Sequence, residues 1–179
     1  MNLPVVRQLA VALLLLCPGT SIHAGKVTFS DNRFSVEIPP AWEKSQGPAD
    51  NAVLHHDAPG EDGSFSIYQL PVAKGHRANL EGTLASRIKA IEKAGLKVSA
   101  DVKSQKQDNF DGKSALFGVV PVEARYQDQV VKFTYYLVLV DAKDTVIVMQ
   151  AALPRPLTPD LQQGALGIIQ SFREKTKTP

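Results

Sequence analysis

Histidine and carboxylate side chains cluster in one short segment of this sequence, and both are common ligands of divalent metals. His55, His56 and Asp57 are consecutive, and Glu61 and Asp62 follow within a few residues. Imidazole together with carboxylate suits zinc, copper or nickel, whereas oxygen ligands suit calcium. The segment is therefore the best candidate for chemistry in the chain.

The geometry of a strand limits which of these side chains can share an ion. Adjacent strand residues point to opposite faces, so His55 and His56 cannot both reach one metal unless the chain bends between them. His55 and Asp57 lie on the same face. The favoured interpretation is a polar strand end that runs into a solvated loop. The alternative is a divalent-metal site formed by His55, Asp57 and Asp62, with a hydrolytic role.

Other catalytic patterns are weak. The sequence has no serine in a Gly-x-Ser-x-Gly turn and no His-Glu-x-x-His pattern. A triad that joins Ser66 or Ser114 to a distant histidine stays open, because such sites assemble through space. Gly60 and Gly63 stand in an acidic loop that would repel a phosphate. We expect neither an enzyme nor a cofactor.

Aromatic residues of the long strands offer a second kind of site. Tyr126 and Tyr136, together with Tyr135 and Phe117, are candidates for a patch that contacts a protein partner. The alternative is that these rings belong to the core under a helix. Exposure separates the two interpretations. If Tyr126 and Tyr136 are buried, the loop 57–63 or the polar strand 98–107 becomes the better contact surface.

The strand-forming segments that position these residues lie between Val27 and Leu153. The longest of them are apolar on both faces. In the segment Val131–Val140, valine, leucine and aromatic residues occupy both faces. A sheet that is wetted on one side would not tolerate this pattern. Pro121 lies inside another long strand, where we expect a bulge or a strand end. Trp42, the only tryptophan, is expected to plug the core beside a loop.

Two helices are available to cover the sheet. Helical spacing of apolar residues begins after Asn79, a candidate N-cap, and ends at Gly95. A second helix opens at Thr158 and Pro159 and carries an apolar stripe to Phe172. The segment Arg173–Pro179 then reads as a charged tail. We predict an α+β fold in which an antiparallel meander is sandwiched between helices, in an α/β/α arrangement.

The first 24 residues have the pattern of an export signal. Arg7 precedes an apolar run, and Ala24 offers a small residue for cleavage, so residues 25–179 are expected to form one mature domain. Pro18 and Gly19 interrupt the run well before the roughly 20 residues of a membrane span. Acylation at Cys17 is the alternative, although Leu16 and Pro18 are unfavourable neighbours for an acylated cysteine. We expect a periplasmic protein without a membrane span after removal of the leader.

Composition excludes further classes. The chain has 20 Lys and Arg against 18 Asp and Glu, so it lacks the basic excess that nucleic acid binding requires. Cys17 is the only cysteine and leaves with the leader. The mature domain therefore has no disulfide and no thiolate chemistry.

Four segments of the mature chain resemble the PsbP-like and DcrB-like proteins, a fold family that includes the yeast Ran-binding protein. They are Phe34-Ser35-Val36-Glu37-Ile38-Pro39-Pro40-Ala41-Trp42, Phe65-Ser66-Ile67-Tyr68, Asp111-Gly112-Lys113 and Ile168-Ile169-Gln170-Ser171-Phe172-Arg173. The resemblance implies a helix–sheet–helix domain that binds other proteins, and it brings no catalytic residue with it. DcrB-like proteins are often lipoproteins, which the poor site at Cys17 does not favour.

The interpretation favoured by the sequence is a non-enzymatic periplasmic accessory protein whose partner is an envelope or secreted protein. The alternative is a divalent-metal-binding protein that uses the loop from His55 to Asp62.

Overall fold

The computed structural model describes residues 24–47, 51–60, 63–99, 101–127 and 129–175. The predicted leader, except Ala24, and Asp62 lie outside these residues. Eleven strands and two helices form in the described part. The strands are β1 Gly25–Phe29, β2 Phe34–Ile38, β3 Glu43–Lys44, β4 Ala52–Asp57, β5 Ser64–Pro71, β6 Lys97–Val98, β7 Lys103–Phe110, β8 Lys113–Tyr126, β9 Gln129–Asp141, β10 Thr145–Pro154 and β11 Arg173–Glu174. The helices are α1 Leu80–Lys93 and α2 Pro159–Gln170.

A large antiparallel sheet forms the centre of the molecule. Its strands follow the order β3-β4-β5-β10-β9-β8-β6, and β7 pairs with the remaining length of β8. The hairpins β8–β9 and β9–β10 are the predicted meander. Both faces of this sheet are covered, as the apolar residues on both faces of β9 predicted. The predicted α+β sandwich is confirmed.

Helix α1 covers one face of the large sheet. It begins after Asn79, whose side-chain oxygen accepts a hydrogen bond of 2.9 Å from the backbone N–H of Gly82. It ends before Gly95, which has a positive φ of 85°. Leu84 and Ile91 are buried against the residues of β8, β9 and β10 that point to this face. The predicted limits of this helix are therefore correct.

The other face is covered by helix α2 and by a separate three-stranded sheet in the order β1-β2-β11. Ring stacking joins the small sheet to its surroundings, because Phe34 stacks on both Phe29 and Phe172. Phe172 in turn stacks on Phe110 from the end of β7. The layer is thus more than the single helix that the sequence predicted.

Three local expectations were wrong. Arg173 and Glu174 are not a free tail, because they form β11 and pair with Ser35 and Phe34 of β2. Residues 98–107 are not one strand, since β6 and β7 pair with different parts of β8. Pro121 causes no bulge, because β8 and β9 keep one register past it.

The position of Pro121 has a simple explanation. In an antiparallel pair the N–H and C=O of one residue point to the same neighbouring strand. The carbonyl of Pro121 accepts from the N–H of Ser99, in the gap between β6 and β7. The missing N–H therefore falls where no ladder partner requires it.

No helix in the described part of the chain is long and apolar enough to span a membrane.

Candidate functional site

The predicted metal ligand His55 lies on β4 in a buried hydrogen-bonded row. Its Nδ1 is 2.7 Å from the hydroxyl oxygen of Ser66, and its Nε2 is 3.3 Å from a carboxylate oxygen of Asp57. The backbone of Gly47 packs directly on the ring, since a Cβ built there would lie 2.6 Å from Cγ of His55. The structure thus brings His55 and Asp57 together, as the alternation along β4 predicted.

The same row continues across the sheet toward helix α1. Ser66 pairs in register with Gln150 of β10. The Nε of Arg87, on α1, donates a hydrogen bond of 2.8 Å to the side-chain oxygen of Gln150. The guanidinium carbon of Arg87 also lies 3.7 Å from the ring centre of Tyr68. On this face, His55 is therefore paired with Ser66, and Gln150 of the adjacent strand is paired with Arg87 of the helix above it.

A catalytic triad is not what this row provides. Ser66 is only 2% exposed, so a substrate has no access to its hydroxyl group. Ser114, the other serine considered from the sequence, is exposed on β8, and the hydrogen bonds among the described residues do not join it to a histidine. A Ser-x-x-Lys pattern, Ser86 to Lys89, also occurs, on exposed turns of α1. There the hydroxyl of Ser86 donates to the backbone carbonyl of Gly82, as it does in many helices.

The structure brings together two of the three predicted metal ligands. His55 and Asp57 are adjacent, and Asp62 lies outside the described residues. Both ring nitrogens of His55 already have neighbours within hydrogen-bond reach. Within the described ranges, no group of three or more histidine, cysteine or acidic side chains is arranged to hold a metal ion. The site with all three ligands remains a prediction.

His56 faces away from His55, as strand geometry requires. It is 5% exposed, and its Nδ1 is buried without a hydrogen-bond partner in the described part of the chain. Burial lowers the pKa of His56, and the nearby His55 and Lys44 lower it further, whereas Asp57 raises it. His56 is therefore neutral at pH 7 and belongs to the core rather than to a ligand set.

The predicted aromatic patch divides between the two faces of the sheet. Tyr136 is half-buried against the core under α2, where its hydroxyl oxygen accepts a hydrogen bond of 2.9 Å from Nε2 of Gln162. Tyr135 is half-buried on the α1 face, and burial raises its pKa. The side chain of Tyr126 lies outside the described part. A patch anchored by Tyr126 and Tyr136 remains a prediction, but Tyr136 is held by α2 rather than free.

A groove that the sequence reasoning missed lies beside Trp42. It has a volume of about 750 Å³, and its walls are mainly apolar. Its lining includes Pro39, Trp42, Pro59, Pro154, Pro156 and Leu161. Trp42 itself is 5% exposed, as expected of a core plug, and packs on Gly164 of α2. The available signal was the set of prolines at strand ends, but these prolines are up to 117 positions apart and only the fold gathers them.

The architecture matches a known fold. A helix, a large antiparallel sheet and a second layer of helix and small sheet define the PsbP-like fold, and solved structures of that class superpose on nearly the whole described chain. No protein-family profile matches the sequence, and no curated protein matches it significantly.

Three solved structures show this likeness. The chain is similar to cyanobacterial PsbP from Synechocystis sp., with a TM-score of 0.65 and 11% identity over 90% of this chain and 99% of that one. It is similar to the Ran-binding protein Mog1p of Saccharomyces cerevisiae, with a TM-score of 0.56 and 13% identity over 86% and 96% of the two chains. LpqN of Mycobacterium tuberculosis, which is involved in cell envelope biogenesis, gives a TM-score of 0.52 and 14% identity over 85% and 90%. The predicted PsbP-like fold is thereby confirmed.

Proposed function

We propose that this protein is a non-enzymatic accessory domain that binds a protein of the bacterial envelope, in the periplasm. The fold supports the proposal, because one protein of this fold binds Ran and another takes part in cell envelope biogenesis. The row from His55 to Arg87 supports it as well. His55, Ser66 and Gln150 are buried, and their side chains are engaged with Ser66, His55 and Arg87 respectively, which suits a stable scaffold better than catalysis.

The groove beside Trp42 is the observation that carries the proposal. Prolines form much of its wall, and proline has a fixed φ and no N–H, so this part of the wall is rigid and offers no backbone donors; Arg155, Thr158 and Asp160 are the polar side chains of the lining. Such a surface favours an apolar segment of a partner, which has few polar groups to desolvate. We assign the groove to an apolar segment of an envelope protein.

The position of β1 supports export. This strand begins at Gly25, the residue that follows the predicted cleavage point at Ala24. Cleavage there would leave every element of the described fold in the mature protein. Sequencing the amino terminus of the protein from its host tests this point, and a start at Gly25 in the periplasmic fraction is the expected result. A terminus at an acylated Cys17 would replace the soluble form with a membrane-tethered one.

Crosslinking in the host tests the groove. A photoreactive amino acid at Pro59, in the groove wall, is expected to capture one protein. The same capture should disappear when Leu161→Glu places a charge in the groove. A photoreactive residue at Lys89, exposed on α1, serves as the matched control and should not capture this protein.

The identity of the captured protein decides the outcome. An envelope protein whose binding to the purified domain is weakened at least about tenfold by Leu161→Glu supports the proposal. Capture that is equal from Pro59 and Lys89, or that survives Leu161→Glu in a folded variant, contradicts the groove as the contact surface. Circular dichroism of each variant shows whether the fold is kept.

The metal hypothesis is the second candidate, and the approach of His55 to Asp57 is the observation that favours it. Zinc, nickel, copper and calcium are each added to the purified protein while its melting temperature is measured. A rise that is lost in both His55→Ala and Asp62→Asn supports a site with these ligands. No rise with any of the four ions excludes it.

A further inference from the structure

The outer face of the small sheet presents a row of hydrogen-bonding and cationic side chains. Alternate residues of β1 and β2 point inward to the core, among them Phe29, Phe34 and Val36. The residues between them point outward. In register, Thr28 of β1 lies beside Ser35 of β2, and Ser35 lies beside Arg173 of β11.

This row forms the floor of an open cleft of about 620 Å³. The residues that line the cleft are Lys26, Thr28, Asn32, Arg33, Ser35, Arg173, Glu174 and Lys175. Four of the eight side chains are cationic, and one is acidic. Such an excess of positive charge in a concave surface attracts anions.

The only acid of the lining is already neutralised by its neighbours. A carboxylate oxygen of Glu174 is 2.7 Å from Nε of Arg33, and the other is 3.0 Å from Nζ of Lys113. Burial raises the pKa of Glu174, but the hydrogen bonds from Arg33 and Lys113 outweigh it and lower the pKa overall. Arg33 also pairs with Asp144 at 2.8 Å. Asp111 lies 3.5 Å from Nζ of Lys113 as well, so this network joins two cations, Arg33 and Lys113, to three carboxylates and adds no positive charge to the cleft.

Three cations of the cleft have no carboxylate partner among the residues that the structure describes. Among the ion pairs of the described residues, none includes Lys26, Arg173 or Lys175. Lys26 lies opposite Glu37 on the neighbouring strand, at the rim of the cleft. Arg173 is held in place because its Nη1 donates to the backbone carbonyls of Gln170 and Phe172. The N–H groups on its other two guanidinium nitrogens remain available to a ligand.

Neutral donors complete the lining. Asn32 accepts a hydrogen bond of 2.6 Å from the hydroxyl of Thr28 through its side-chain oxygen, so its amide N–H groups remain available as donors. Ser35 is 8% exposed and contributes a hydroxyl to the floor. Guanidinium, ammonium, amide and hydroxyl donors that converge from several strands match the oxygens of a tetrahedral anion better than the two oxygens of a carboxylate.

We propose that the cleft between β1, β2 and β11 binds a phosphoryl group through Lys26, Arg173 and Lys175. The group belongs to a soluble phosphate compound or to the headgroup of an anionic phospholipid, because both present the same oxygens. This site is separate from the groove beside Trp42, and it does not depend on the function proposed for that groove. Exposed cations are screened by salt, so binding weakens as ionic strength rises.

Two probes distinguish the sources of the phosphoryl group. Pyrophosphate binding to the purified protein is measured by calorimetry at low salt, and binding to vesicles is measured by flotation. The vesicles contain phosphatidylglycerol in phosphatidylcholine, or phosphatidylcholine alone. The test variant is Lys26→Glu/Lys175→Glu, at two exposed positions. The control is Lys89→Glu/Lys93→Glu, which makes the same change of net charge at exposed positions on α1.

The expected result is binding of at least one probe that the test variant weakens about tenfold and the control variant changes less than twofold. Loss confined to pyrophosphate identifies a soluble ligand, and loss confined to phosphatidylglycerol vesicles identifies a lipid headgroup. The proposal is overturned if the protein binds neither probe, or if the test variant binds as the original protein does. Equal weakening by both variants also overturns it, since net charge alone would then explain the binding.

Discussion

At the scale of single residues, the contact between Gly47 and the His55 ring is the tightest constraint around the predicted metal ligand. Gly47 and Gly60 both have positive φ, of 59° and 84°. A Cβ at Gly47 would lie 2.6 Å from the His55 ring, whereas a Cβ at Gly60 would have no atom of another residue within 4 Å. Alanine at Gly60 therefore tests backbone strain alone, whereas alanine at Gly47 adds a collision with the His55 ring.

We expect Gly60→Ala to lower the free energy of unfolding by about 1 kcal/mol, which is the cost of a left-handed backbone for alanine. Gly47→Ala should lower it by about 2–4 kcal/mol, because the ring must also move. Urea unfolding of the two variants provides the comparison. Equal losses of unfolding free energy would mean that the His55 ring moves aside at little cost. The contact between His55 and Ser66 would then be only weakly constrained.

His56 makes stability depend on pH in a definite direction. Burial lowers its pKa in the folded protein, whereas the unfolded chain takes up a proton near pH 6.5. At pH values between the lowered pKa of folded His56 and about 6.5, the unfolded state binds more protons than the folded state. The stability of the fold therefore falls as pH decreases below about 6.5. His56→Leu removes this proton uptake and should reduce the loss of stability between pH 8 and pH 5.

The substitution His76→Leu is the matched control for this effect, because His76 is exposed. It should leave the pH dependence nearly as it is in the unaltered protein. Melting temperatures measured at several pH values are sufficient. A His56→Leu profile that runs parallel to that of the original protein would show that other groups cause the acid sensitivity.

At the scale of elements, the two helices begin with different caps. The side chain of Asn79 caps α1, whereas the side chain of Thr158, at the same position of α2, makes no capping hydrogen bond. Asn79→Ala should cost about 1 kcal/mol of stability, as the loss of a working cap does. Thr158→Ala should cost less than about 0.5 kcal/mol. Denaturant unfolding of both variants is the measurement, and a larger loss for Thr158→Ala would contradict the assignment.

The helices and long strands were predictable because their signals are local. Asn79, Gly95 and the apolar spacing between them limit α1, and the apolar residues on both faces of β9 required a layer on each side of the sheet. β11 was not predictable. It has two residues, and its pairing with Ser35 and Phe34 is set by contacts about 140 positions apart in the chain. No local sequence pattern predicts such a contact.

The same distinction holds for the candidate sites. The approach of His55 to Asp57 follows from strand alternation and was predicted. The groove beside Trp42 and the cleft around Arg173 were not, because each is assembled from elements that are distant in sequence. Burial of Ser66 also depends on the neighbours that the sheet places around it, and only the structure shows that its hydroxyl is inaccessible.

At the scale of the whole molecule, the small sheet and the large sheet share one core. Phe34 is fully buried and stacks on Phe172, which stacks on Phe110 of the large sheet. Arg33 reinforces this connection, since it bonds to Glu174 of β11 and to the backbone carbonyl of Ala142 between β9 and β10. We therefore expect the two sheets to unfold together rather than as separate units.

Phe34→Ala tests this expectation. Loss of a buried phenylalanine should lower the free energy of unfolding by about 3–5 kcal/mol, whereas Val130→Ala at the exposed end of β9 should lower it by less than about 1 kcal/mol. Within each of the three proteins, Trp42 fluorescence and far-ultraviolet circular dichroism should report the same unfolding midpoint, although that midpoint is lower in Phe34→Ala. Two separate transitions would show that the small sheet is an independent unit, and the stacked phenylalanines would then pack the sheets without coupling their unfolding.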